Sequence, residues 1–142
     1  MNKLSIELLD SIKLPLVTRL YKTYYPAGKA KKNEQIIVGY LEKELVSVVR
    51  LRSIENVRLL TGMLVIPSLQ KQGLGHELLS FCQRYYLQET DYCFAYQPLA
   101  NFYHQHGFHM IDAKTLPSSL AALFQRYLVS GKNLIGMQYQ SN

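Results

Sequence analysis

The chain lacks the features that mark several protein classes. It has two cysteines, Cys82 and Cys93, in 142 residues, too few for the disulfide framework of a small secreted domain. No apolar run approaches the roughly 20 residues that cross a bilayer, so no membrane partner is expected. Acid is scarce: 10 Asp and Glu stand against 16 Lys and Arg, for a net charge of +6. There is no internal repeat, no low-complexity tract and no linker. The opening stretch Met1 to Glu7 brings an acid early and has no apolar centre, which predicts no signal peptide and a cytoplasmic location. What remains, 48% hydrophobic and 18% charged, suits one globular domain over residues 1–142 with a sizeable core.

The apolar pattern alternates between strand-like and helix-like segments. Leu4 to Leu9 reads as a strand, and Asp10 or Ser11 caps a helix to about Tyr25, closed by Pro26 and Gly28. Gln35–Leu41, Glu44–Arg52 and Val57–Val65 are three strands separated by short turns, the signature of an antiparallel meander. Their nearly unbroken apolar character predicts a sheet covered on both faces. A helix from Gly73 or Leu74 to about Gln88 carries Leu74, Leu78, Leu79, Cys82 and Tyr86 at helical spacing. Asp91–Tyr96 is a further strand with Cys93 inside it, and both thiols are expected to be buried. A short helix from Pro98 to His106, a strand at Phe108–Ile111, a helix opened by Pro117-Ser118-Ser119 and ended by Gly131, and a closing strand at Leu134–Tyr139 complete the order. Such a βαβββαβαβαβ order implies an α/β fold, a mixed sheet with helices on both faces.

The segment from Val65 to Gly75 carries the most information. A strand ends, two glycines follow, and a helix begins, which leaves several backbone N–H groups at a helix start free to bind phosphate. It has neither the third glycine of a dinucleotide-binding fingerprint, since Glu77-Leu78 stand near that place, nor a Walker A loop. The pattern V-x-P-x-x-Q-x-x-G-x-G, set by Val65, Pro67, Gln70, Gly73 and Gly75, resembles the pyrophosphate loop of the GNAT superfamily of acetyl-CoA-dependent N-acetyltransferases. Further on, Phe102-Tyr103 and Gly107-Phe108 form F-Y-x-x-x-G-F, which is similar to a second GNAT signature, in the right order and at the right distance.

That resemblance implies a GNAT-like, mostly antiparallel central sheet of six to seven strands, although the second short helix of that fold has no clear counterpart. It implies acetyl-CoA as cosubstrate, with its pyrophosphate on the amides of Gln70, Lys71, Gln72 and Gly73 and of Leu74, Gly75 and His76. Its pantetheine arm would lie between parted strands, near Leu64, Val65 and Tyr96, and an amide near Leu64 or Val65 would serve the oxyanion. Tyr103 takes the place of the tyrosine that protonates the leaving thiolate, and a phenol, neutral at pH 7, suits that task. Many family members carry a glutamate on the strand before the loop; Val57–Val65 has none, so Glu55, in the preceding turn, is the nearest candidate base. The acceptor is an amine, with Tyr24, Tyr25 and the basic stretch Lys29, Lys31 and Lys32 as its expected surroundings.

Other readings stay open. The same fold without a base could be a non-catalytic acyl-CoA sensor or interaction module. A nucleic-acid partner is not expected, because no basic helix or stripe interleaved with aromatics is present. His104, His106 and His109 are poorly spaced for a metal, since i and i+2 point apart on a helix and Gly107 intervenes. A homodimer is allowed but not required.

Overall fold

The computed structural model describes residues 3–141. Its strands are β1 (Leu4–Leu8), β2 (Gln35–Leu41), β3 (Glu44–Ile54), β4 (Val57–Val65), β5 (Tyr92–Tyr96), β6 (Phe108–Met110) and β7 (Leu134–Tyr139). Its helices are α1 (Leu14–Tyr24), α2 (Leu74–Tyr85), α3 (Ala100–His104) and α4 (Ser118–Val129). One seven-stranded sheet has the order β1-β2-β3-β4-β5-β7-β6, with only the β4–β5 pair parallel. No described helix is long and apolar enough to cross a membrane.

Both sheet faces are buried, as the continuous apolar strands require. Along β2, Ile37 faces the core under α2, while Ile36 and Val38 face the core under α1. The α2 core contains Leu78, Leu79 and Cys82 beside Leu60 and Cys93, and a third cluster packs Leu120, Leu123 and Phe124 of α4 against Leu59 and Tyr92. Both thiols are free and buried, and burial pushes Cys82 up to about 12 and Cys93 well above its ordinary range, so neither is a nucleophile at neutral pH.

Two expected boundaries shift for local reasons. The first helix begins with a 3₁₀ turn over Ser11–Lys13, capped by the Asp10 carboxylate on the Ile12 N–H at 3.1 Å, and becomes α-helical only at Leu14 with Pro15 in its first turn. Proline is tolerated there because first-turn N–H groups have no helical partner. The second helix ends at Tyr85 rather than near Gln88, because the Asp91 carboxylate takes the Gln88 N–H at 2.8 Å. That carboxylate also holds Arg58 through both its oxygens, at 2.9 and 2.5 Å, which ties the start of β4 to the turn before β5. Between α1 and β2 there are turns and no helix, in line with the missing counterpart noted above.

β4 contains the irregularity that shapes the site. Val48 pairs with Leu64 but Arg50 with Thr61, so Gly62 and Met63 together oppose Val49. This is a β-bulge, with Gly62 in the left-handed region at φ 69°. It inverts the alternation: Leu60 faces the α2 core, yet Leu64, four residues on, faces the α1 core, while Met63 packs on the α2 side.

Candidate active site at the parting of two strands

β4 and β5 pair only at Leu59–Tyr92 and Leu60–Cys93. Beyond Leu60 the strands diverge, and the edge of β4 that would face β5 loses its partner strand; backbone N–H and C=O groups left this way need another partner. Two cavities open at the split, one on each face of the sheet, and Met63, Leu99 and Tyr103 line both.

The first cavity, on the α2 face, is built from the loop at the end of β4. Gln70 donates from Nε2 to the Val65 carbonyl at 3.0 Å, folding the loop back on the strand end. Lys71 (φ 65°) and Gly73 (φ 85°) both take left-handed conformations, and Gly73 is the N-cap of α2 with no side chain satisfying the helix start. The N–H groups of the first turn therefore point into an uncapped, positively polarised end. Gly75 lets α2 approach the split: a Cβ there would lie 3.3 Å from both Met63 Cε and Phe102 Cζ. Val65, Gln70, Lys71 and Gly73 line this cavity with Leu74, Gly75 and His76. Gln72, between them in sequence, lines neither cavity.

His76 is the first residue of a relay not expected from sequence. Its Nδ1 lies 2.8 Å from His106 Nε2, and His106 Nδ1 lies 2.8 Å from Gln83 Oε1. An amide oxygen only accepts, so His106 donates from Nδ1 and accepts from His76 at Nε2. This leaves Nε2 of the His76 ring as an acceptor beside the loop. Burial first, and the neighbouring His76 second, hold His106 below its ordinary range near 6.5. The unfolded chain thus binds a proton near pH 6.5 that the folded chain refuses until lower pH, so stability falls as pH drops through that window and levels off below the folded value. Denaturant midpoints taken between pH 8 and pH 5 should decline, and His106→Asn should flatten part of the decline; an identical profile in the variant would exclude His106 as its source. His104 instead sets Nδ1 3.2 Å from the Phe108 carbonyl and packs edge-on against His109.

The second cavity, on the face of α1 and α4, is walled by Tyr24, Tyr25, Phe94, Tyr96 and Tyr127. Leu64 and Tyr96 line this cavity rather than the one at the phosphate loop. Tyr25 is held above its ordinary range, by burial first and then by the nearby Tyr96 and Tyr127 phenols. Beneath it the bulge is pinned. The Tyr21 hydroxyl donates to the Gly62 carbonyl at 2.6 Å and accepts from Arg50 Nε at 3.2 Å. Arg50 Nη1 reaches Glu34 Oε1 at 2.8 Å and the Lys29 carbonyl at 2.6 Å, in an ion pair whose side chains are 8% and 4% exposed. The basic stretch is thus fastened by its backbone to the site, while Lys29, Lys31 and Lys32 line neither cavity.

Tyr103 stands where the cavities meet. It is 8% exposed, packed edge-on to Phe102 and Phe108 with centroids at 5.1 and 6.1 Å. Burial, with smaller contributions from Cys93 and Tyr25, raises its phenol far above the ordinary value, so it holds its proton throughout the working pH range. Glu55 is not brought to this place. It is exposed in the β3–β4 turn at φ 54°, before β4 begins, and lines neither cavity. Neither cavity contains a carboxylate among its described lining residues.

The sequence offered signals for some of what was missed. A glycine inside an apolar strand marks a bulge, and Arg50, a lone charge in V-V-R-L, marks a buried partner. Nothing local to Gln83 or Lys132 placed either one at the site.

No curated protein matches the chain. Among solved structures it resembles N-acetylglutamate synthase from Neisseria gonorrhoeae, complexed with coenzyme A and N-acetyl-glutamate, at TM-score 0.73 and 15% identity over 98% of this chain. The chain spans 36% of that protein's length. Rv2747 from Mycobacterium tuberculosis, in complex with CoA and NLQ, matches at TM-score 0.72 and 13% identity, covering 97% of this chain and 99% of that one. The ribosomal-protein-S18-alanine N-acetyltransferase from Escherichia coli matches at 0.64 and 14%, covering 99% and 96%. These likenesses show a shared fold. The sequence profile described as Acetyltransferase (GNAT) domain matches residues 32–110, a span that runs from the Glu34–Arg50 ion pair through the bulge and the phosphate loop to Tyr103, and with more than half its length so matched the chain belongs to the GNAT acetyltransferase family.

Proposed function

We propose that the chain is an N-acetyltransferase that moves the acetyl group of acetyl-CoA to a primary amine by direct attack in a ternary complex. The observation that carries this reading is the pair of cavities meeting at Tyr103 across the split between β4 and β5. Donor and acceptor can approach one point from opposite faces of the sheet.

The residues at the first cavity suit the donor. The amides of Gly73, Leu74, Gly75 and His76 and the Lys71 ammonium would hold a pyrophosphate. The edge of β4 beyond Leu60, which has no partner strand, offers backbone groups to an amide-bearing arm. Acetyl-CoA, when bound, supplies a thioester whose carbonyl is open to a nucleophile. An amide of the parted strand near Leu64 or Val65 would stabilise the oxyanion. Tyr103 would donate its proton to sulfur as the carbon–sulfur bond breaks, leaving free thiol and an amide.

With no carboxylate among the described residues that line either cavity, the amine loses its proton to water rather than to the protein. Values of kcat/KM should therefore rise about tenfold per pH unit up to the acceptor amine's own pKa, and the break should move when an acceptor of different pKa is used. A break at one fixed pH for every acceptor would reveal a protein base. The acid-free cavities also favour a second reading, an acyl-CoA sensor. Thiol release from acetyl-CoA across amino acids, polyamines, aminoglycosides and peptides separates the two: tight coenzyme A binding without release for any acceptor leaves the sensor. Calorimetry that found no coenzyme A binding at millimolar ligand would remove both. Cytoplasmic location and a possible homodimer complete the proposal, the latter read from size-exclusion chromatography with light scattering.

A further inference from the structure

The cavity on the α1 and α4 face is unbalanced in charge. Its walls are mostly phenols and aliphatic side chains, and Lys132 is its single charged lining residue among those described. The turn at Gly131 (φ 96°) closes α4, and the Lys132 N–H bonds the Tyr127 carbonyl at 3.1 Å. The side chain then lies over the Tyr127 ring, with Nζ 4.3 Å from the centroid. An ammonium held on an aromatic face loses mobility. Among the described residues it has no acidic partner within 4.0 Å, whereas Arg50, the other cation near this wall, is already paired with Glu34. The cavity measures about 320 Å³, the volume of a small-molecule site.

Such a cavity repels a second cation and attracts an anion. It also favours the neutral form of a bound amine over its ammonium, which offsets the missing base. We infer that the acceptor is a small primary amine whose own skeleton carries an anionic group, a carboxylate or a phosphate, which Lys132 binds while the phenols pack against the rest. Polyamines and lysine-rich peptides are then poor acceptors. This inference rests on the acyltransferase reading and deepens it.

The test compares acceptors in matched pairs at equal free-amine concentration: methionine with methioninamide, and glucosamine 6-phosphate with glucosamine, alongside spermidine. The anionic member of one pair should exceed its neutral partner at least tenfold in kcat/KM, and which pair responds distinguishes carboxylate from phosphate. Lys132→Gln should bring that ratio within about twofold, and Lys132→Glu should make spermidine the better acceptor. Coenzyme A affinity, read at the other cavity, reports whether the variants fold. A wild-type preference for the neutral partners or for spermidine overturns the inference, as does an anion preference that survives in Lys132→Gln. Should no acceptor release thiol, the transfer reading fails and the inference is judged by binding. N-acetylmethionine and N-acetylmethioninamide are titrated into the coenzyme A complex. Tighter binding of the acid that disappears in Lys132→Gln upholds the anion site, and equal binding or none removes it.

Discussion

Tyr103→Phe is expected to lower turnover by about 100-fold or more while coenzyme A affinity stays within about twofold. The substitution removes one oxygen. The ring that remains still packs against Phe102 and Phe108, so the junction between the cavities keeps its shape. What is lost is the phenol proposed as proton donor, which burial holds in its neutral form. In the parent, activity with a given acceptor should not fall between pH 8 and pH 10 through ionisation of this phenol, because its value lies well above that range. A variant with parental turnover would take Tyr103 out of the mechanism. Equal losses in turnover and in coenzyme A binding would assign it a packing role instead.

Gly62→Ala should cost about 2–5 kcal/mol of stability and most of the activity. A non-glycine residue in the left-handed region costs roughly 1–2 kcal/mol, and forcing an extra carbon into a packed site adds about 1–3 kcal/mol. The new Cβ would stand 2.5 Å from the Tyr21 hydroxyl and 2.7 Å from Arg50 Nε, so the hydrogen bonds that pin the bulge must open. Arg50 is then drawn from Glu34, and an ion pair lacking its geometry is costly in a buried place. If the bulge were instead removed, every β4 side chain beyond it would change face, placing Leu64 in the α2 core and Met63 in the opposite one. Tyr21→Phe, which removes only the pinning hydroxyl, should cost less, about 1–3 kcal/mol. Chemical denaturation and thiol-release assays on both variants check the ordering. A Gly62→Ala protein with the parent's stability and turnover would mean the bulge has no part in building the site.

Much of the architecture was legible along the chain. All seven strands and all four helices were expected in their observed order, because strand and helix periodicities are local signals. The loop between β4 and α2 was legible for the same reason: its uncapped helix start comes from backbone groups and from residues adjacent in sequence. Tyr103 was identified only through a motif, since nothing about a tyrosine on a short helix announces a place between two cavities. Glu55 shows the opposite case. Proximity in sequence to β4 suggested a base, but a β-strand is extended, and a residue before its start lies far from anything beyond its middle.

The amino-acid sequence by itself determined the elements, the covered sheet and the glycine-bearing loop that opens α2, since hydrophobic period and turn chemistry act over a few residues. Tertiary structure alone decided the rest. It inserted β7 between β5 and β6, fixed Leu60 as the point where β4 leaves β5, and brought Lys132 to the cavity that Tyr24 and Tyr96 share. It also joined His76 to His106 and Gln83. These are contacts between residues far apart in the chain, and they form only when burial of three apolar clusters has fixed the helices on the sheet.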